Sequence, residues 1–329
     1  MEIKRANRNF QRTVSNGILT VMRYPVFGVL IAFLVVFIIF SILAPNFFTV
    51  DTLTGVFSLV AELGIITIGE AFLIISGEFD LSVSGVYTLS ASIFVVMSTF
   101  MHSGLALLIA LVFAACIGFI NGKITLKTGI PSFITTLGMM MITRGSLLAA
   151  TGGRSLSYRG DSFVPTMLSK IFGSGFRPSH IWFIVIALIF SFILLRTRYG
   201  NWVLATGGDK ETARAQGVRT DRVKLINFII CAVLAGFAGC IAISRFKFAN
   251  VAFGTGYELE AIAAAVIGGT FLFGGYGTII GAALGAFLIS MIRIGLVMIG
   301  IPGYYYQSLV GIILIAAAVI NLRIRKLWF

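Results

Sequence analysis

The chain has 329 residues, 58% of them hydrophobic and 11% charged, with a mean hydropathy of +1.02 and a formal net charge of +13. A soluble domain carries roughly a quarter charged residues, so this composition excludes one and leaves an integral membrane protein. Apolar runs of about twenty residues suit helices crossing a ~30 Å hydrocarbon core, and the ~10-residue alternating segments of a β-barrel do not appear.

The fold class expected is an all-α polytopic membrane protein. A basic tail over 1–25 precedes the first span at about 26–43. That apolar stretch is longer than a signal h-region and lacks a small-x-small cleavage site, so it reads as an uncleaved helix. Pro45 ends it. Further spans follow at about 56–75, 83–101, 104–121, 131–150, 180–195, 223–244, 258–273, 278–298 and 304–322, about ten in all. A polar stretch at 151–179 and a basic loop at about 197–222 separate the middle spans, and a short tail occupies 323–329. The whole of 26–322 reads as a single transmembrane domain.

Orientation follows from the basic residues. With the N-terminus inside, 17 Lys and Arg fall on cytoplasmic segments and six on outer ones. The positive-inside rule then places both termini and the 197–222 loop in the cytoplasm and 151–179 outside. The same rule accounts for the high pI, so no nucleic-acid partner is expected. Arg144 and Arg293 fall within spans, near enough to the outer ends to snorkel. Cys116, Cys231 and Cys240 lie in apolar runs without metal-type spacing and read as packing residues; no metal site is expected. His102 and His180 fall at outer span ends and are assigned no chemistry.

The long polar stretch from Trp202 to Arg222 carries its own helix signals. Gly207-Gly208 reads as a chain break and Asp209 as an N-cap. Glu211 lies in the first turn, where it suits the dipole. Gly217 closes a helix of about two turns over 210–216. Ala213 and Gln216 share a face with Gly217, a small-residue surface that another protein can approach. The plain alternative is a solvated basic loop that holds topology.

Three other stretches stand out. Glu70 sits deep in the second span, with Glu78 and Asp80 near its cytoplasmic end; carboxylates in hydrocarbon usually face a cavity or a partner. They read either as a polar cluster facing a solute or as capping, and for Asp80, followed by Ser82 and Ser84, capping is favoured. Phe133, Thr135 and Thr136 put a ring and hydroxyls at a span entrance, a pairing that suits a sugar, although packing is the commoner use of a Phe. Glu258 and Glu260 open the 258–273 span, where the dipole alone favours acids. Gly277, Gly281 and Gly285 recur at four-residue spacing, a small-xxx-small pattern for close helix packing.

No GxxxxGK[ST] phosphate loop exists, and the Gly-rich GGTFLFGGYGTIIG has no lysine after it. The chain is therefore a transport subunit that hydrolyses no ATP. Five segments in order, APNFFT (Ala44–Thr49), ISGEFDLSVSG (Ile75–Gly85), PSFITTLGMMMITRG (Pro131–Gly145), RYGNWVLATGGDKETARAQGVRTDRVK (Arg198–Lys224) and GTGYELEAIAAAVIGGTFLFGGYGTIIGAALGA (Gly254–Ala286), resemble the permease subunit of ABC importers of the ribose/xylose/galactoside class. The resemblance implies that the Asp209–Gly217 segment is a coupling helix seated on a cytoplasmic ABC ATPase, which holds the ATP and Mg. It also implies a second permease copy or a related permease, an extracytoplasmic sugar-binding protein, and residence in the inner membrane. The expected function is import of a monosaccharide by alternating access. The alternatives are a nucleoside or signalling sugar carried by the same machinery, or a proton-coupled secondary transporter using Glu70, Glu78 or Asp80. The outer segments 46–54, 151–179 and 246–257 are the expected docking surface for the binding protein.

Overall fold

Apolar runs without internal proline leave the backbone little to bond with in a bilayer but itself, and helices result. The computed structural model describes residues 25–173 and 175–328. The expected tail at 1–25 thus lies outside the described residues except for Pro25, as does residue 329. Among the described residues there are thirteen helices: α1 (Pro25–Leu43), α2 (Val50–Ile75), α3 (Val83–Met97), α4 (Ser103–Thr128), α5 (Ser132–Thr151), α6 (Phe163–Ser169), α7 (Pro178–Arg196), α8 (Arg198–Gly208), α9 (Lys210–Ala215), α10 (Thr220–Phe246), α11 (Tyr257–Ile267), α12 (Ile279–Met298) and α13 (Tyr304–Trp328). Two short strands, β1 (Leu156–Ser157) and β2 (Phe248–Ala249), pair antiparallel.

Six helices, α2, α4, α5, α7, α10 and α12, are long and apolar enough to cross a membrane; α1, α3 and α13 carry shorter apolar stretches. The centre is α2, whose apolar stretch is 94% buried, with α10 beside it at 72%, whereas that of α5 is only 17% buried and lies at the rim. α10 packs on α2, α3 and α4, and α12 packs on α2, α11 and α1. Small residues permit these crossings. A Cβ at Gly239 of α10 would lie 2.2 Å from the Tyr87 carbonyl oxygen of α3, and one at Gly118 of α4 would lie 2.5 Å from that of Phe228.

The structure departs from the sequence reading in four places. α2 begins at Val50 rather than 56, because Thr49 caps it and Asp51 sits in its first turn. α4 runs to Thr128, past the Asn121-Gly-Lys that looked like a stop, because Asn121 is buried and its amide donates to Ser82 Oγ at 2.8 Å. The expected span at 258–273 ends at Ile267. Eleven residues make about 16 Å of helix, short of a ~30 Å core, and the glycine-rich 268–278 that follows carries positive φ at Gly269, Gly274 and Gly275. α13 continues to Trp328, so the expected tail from 323 is helical as far as 328.

The two polar loops are also more structured than their composition suggests. The 151–179 segment holds β1 and α6, and Leu168 is fully buried. Arg177 of this segment donates to the Ser169 carbonyl at 2.6 Å. Gly207-Gly208 does not break the chain; α8 runs through both.

Candidate functional site

The end of the bundle that carries α8 and α9 is built around glycine. Gly275 N–H donates to the Ile75 carbonyl at 2.9 Å, joining the 268–278 loop to the end of α2. Gly207 of α8 lies against both: a Cβ there would be 1.8 Å from Ile75 O and 2.6 Å from Gly275 N. Lys224 of α10 donates to Glu78 Oε1 at 2.6 Å and pins the 76–82 segment from a third side. Three segments distant in sequence therefore meet at one backbone junction, and α9 follows directly from it.

α9 spans Lys210–Ala215, with Asp209 Oδ1 accepting from the Glu211 and Thr212 amides at 3.0 Å each. These amide bonds and the Thr212 hydroxyl hold the Asp209 carboxyl below the usual carboxylate range. Gln216 is the C-cap and Gly217 follows with φ +86. Arg214 and Lys210 pair with Asp221 at 3.0 Å, fastening the helix to the start of α10. Glu211, Thr212, Ala215, Gln216 and Gly217 are exposed, but Ala213 is buried against the chain itself. Ala213 is thus an anchor, and the approachable face is shifted to its neighbours.

The residues expected on a substrate path separate. Asp80 is fully buried and accepts from Ser82 N–H at 2.8 Å and Ser82 Oγ at 2.5 Å, the local capping pattern. Thr136 accepts from Leu81 N–H at 3.0 Å, and Ser132 accepts from Phe79 N–H at 3.1 Å, so the start of α5 holds the 79–81 backbone. Glu70 is fully buried on α2, and neither of its carboxyl oxygens has a hydrogen-bond partner among the described residues. Phe133 is 51% exposed on the rim and Thr135 is half-buried beside it. Asp80, Ser82 and Thr136 come together; Phe133 and Thr135 do not join them.

Of the glycine series, Gly281 and Gly285 seat α12 on α11 within the chain, where their Cβ atoms would lie 2.0 Å from the carbonyl oxygens of Gly268 and Ala264. Gly277 precedes α12 and packs on Ile75.

At the opposite end, beside β2, a cavity of about 390 Å³ with charged residues in a largely apolar lining opens between α2, α3, α10, α11 and α12. Glu62, 1% exposed, forms its floor: Tyr87 Oη donates to Oε2 at 3.1 Å and Arg245 lies 2.9 Å from Oε1. Arg293 pairs with Glu260 at 3.6 Å and Arg144 with Glu258 at 3.8 Å, so these two arginines meet acids within the bundle rather than snorkelling. Glu62 escaped the sequence reading although its signal, a lone acid inside an apolar run, was the same as that of Glu70.

The chain matches over residues 52–318 the family described as branched-chain amino acid transport system / permease component. It is 34% identical to the autoinducer 2 import system permease of Photorhabdus luminescens, covering 90% of this chain and 89% of that one. It is 32% identical to the ribose import permease of Escherichia coli K12, covering 89% and 92% respectively. No solved structure matches the chain. With that match over most of its length and with its apolar helices, the chain belongs to this permease family and is a multi-pass inner-membrane permease subunit of an ABC importer.

Proposed function

We propose that the chain imports a monosaccharide of the ribose, xylose or galactose kind by alternating access, driven by ATP hydrolysed on a separate subunit and supplied by an external binding protein. The observation that carries this reading is α9, a capped helix with an exposed face, joined through Gly207 to the 268–278 loop and the end of α2. A partner pressing on α9 thereby gains leverage on the helices of the bundle. The excess of Lys and Arg around this end supports a cytoplasmic position, where an ATPase carrying ATP and Mg is available. In this reading the ATP and Mg are held by the ATPase subunit, and the chain works beside a second permease.

The relative that imports ribose supports the monosaccharide cargo. A second reading, autoinducer 2, is favoured by the relative of that name. For the rival of a proton-coupled carrier, Glu78 is engaged by Lys224 and Asp80 by Ser82, which leaves the buried Glu70, whose carboxyl oxygens have no hydrogen-bond partner among the described residues, as the group that rival would use. The test is uptake of labelled ribose or autoinducer 2 into liposomes holding the chain with its ATPase and binding protein. ATP-dependent uptake that Gly217→Asp abolishes, with the complex still folded, supports the reading; Gly217 has open space and a positive φ that Asp tolerates. Uptake by the chain alone on a proton gradient contradicts it.

A further inference from the structure

The cavity beside β2 has a chemistry of its own. Its floor is the Glu62–Arg245 ion pair, with Tyr87 donating to the carboxylate. Its walls are aromatic: Tyr87 and Phe253 stack with ring centroids 5.7 Å apart, and the Arg245 guanidinium lies 4.2 Å from the Phe246 ring centre. Glu62 Oε1 is held only by the 2.9 Å ion pair to an Arg245 terminal nitrogen, and Arg245 Nε is buried with no hydrogen-bond partner among the described residues. Buried polar atoms left unpaired cost free energy, and an ionisable pair inside a membrane bundle marks a solute path more often than a packing device.

These features select a ligand class. Glu62 and Arg245 are paired with each other, and Arg293, which also lines the cavity, is paired with Glu260 at 3.6 Å, so an ionic solute would have to break one of these pairs. A neutral solute with hydroxyls can donate to Glu62 Oε1 beside its Arg245 contact and accept from the Arg245 Nε–H at once. Its C–H faces then lie on the aromatic walls. The volume sits at the small end of ligand pockets, which span roughly 300–1,000 Å³.

We propose that this cavity is a binding site in the permease for one small polyhydroxylated solute, with Glu62 and Arg245 as its hydrogen-bonding pair and Phe253 as its stacking wall. The proposal rests on the importer reading above for the identity of the cargo, but the site is tested without transport. Asn250 lines the cavity in the link before α11. In a chain whose exposed Cys116 is replaced by Ser, Asn250→Cys is labelled with a membrane-impermeant maleimide in the permease–ATPase complex reconstituted without the binding protein. Ribose, xylose, galactose or autoinducer 2 is then added at rising concentration. At least one of them slows labelling several-fold, and Glu62→Gln raises the concentration required about tenfold, the loss of one charge-assisted hydrogen bond.

Because Glu62→Gln disturbs a buried pair, Phe253→Leu serves as the second variant; it sits in the link, leaves the pair intact and weakens protection several-fold. Protection by none of the four compounds overturns the site, as does protection by leucine or valine alone, or protection unchanged in both variants. Failure of ATP-driven uptake with protection retained overturns the importer reading and leaves the site standing.

Discussion

Gly207 of α8 and Ile75 at the end of α2 meet backbone to backbone, so closely that a single methyl on Gly207 would sit 1.8 Å from the Ile75 carbonyl oxygen. The same methyl would meet the amide of Gly275, which that carbonyl accepts from. Gly207→Ala therefore has to push three segments apart. Overpacking of this kind costs about 1–3 kcal/mol. The expected outcome is a purified permease that still folds but melts lower, with ATP-driven uptake falling more steeply than ATPase assembly. Gly208→Ala, whose Cβ would be no nearer than 3.9 Å to Gly275, is expected to be mild by the same assay.

The Lys224–Glu78 pair is nearly buried, with side-chain exposures of 9% and 15%. Removing one member leaves a lone charge under the 76–82 segment, at a cost on the order of 3 kcal/mol. Replacing both, as in Glu78→Leu with Lys224→Met, removes the desolvation penalty along with the attraction. Thermal unfolding in detergent is expected to rank the double variant above either single one. Equal additive losses would show that the two side chains act independently.

Asp161, between β1 and α6, holds three donors: the Ser103 hydroxyl at 2.5 Å, the Ser103 amide at 2.7 Å and the Phe163 amide at 2.9 Å. The Ser103 contacts above all pull its carboxyl down to about 2. An unfolded aspartate titrates at ~3.9. The depressed value means the anchoring is complete above that range and is lost as pH falls toward about 2. Amide exchange in 156–169 is expected to stay slow to about pH 4 and to quicken below it, while Asp161→Asn removes that pH dependence.

Gly285 faces Ala264 across the α11–α12 crossing, where even a Cβ would be 2.0 Å from a carbonyl oxygen. Gly285→Val is expected to be among the most damaging substitutions in the bundle and to lower the yield of folded protein several-fold in membrane extracts. Gly277→Ala meets the flexible Ile75 side chain instead and is expected to be tolerated better.

Hydropathy located the helices because lipid enforces a simple rule: a spanning backbone must satisfy itself, and apolar length reports it. It failed where the rule relaxes. The 258–273 run is apolar after its two opening acids, yet Gly268-Gly269 ends the helix at Ile267 because the next residues pack against protein at the glycine junction. The capping signals at Asp209 and Gly217 were legible since they act within a few residues of sequence. The burial of Ala213 was not, since it depends on how α9 rests on the rest of the chain. Glu62 carried a local signal, a lone acid in an apolar run, but its partner was not legible; only folding sets it 2.9 Å from Arg245 at a cavity.

The proposed action of an ATPase on α9 makes a direct prediction about contacts in the assembled complex. Photo-crosslinkers placed at Glu211 and Gln216, both exposed, and at Arg154, exposed at the opposite end of the bundle, test it in the assembled complex. The account predicts ATPase adducts from 211 and 216 and none from 154. An intact, ATP-hydrolysing complex that yields adducts from 154 and none from either α9 position would contradict it.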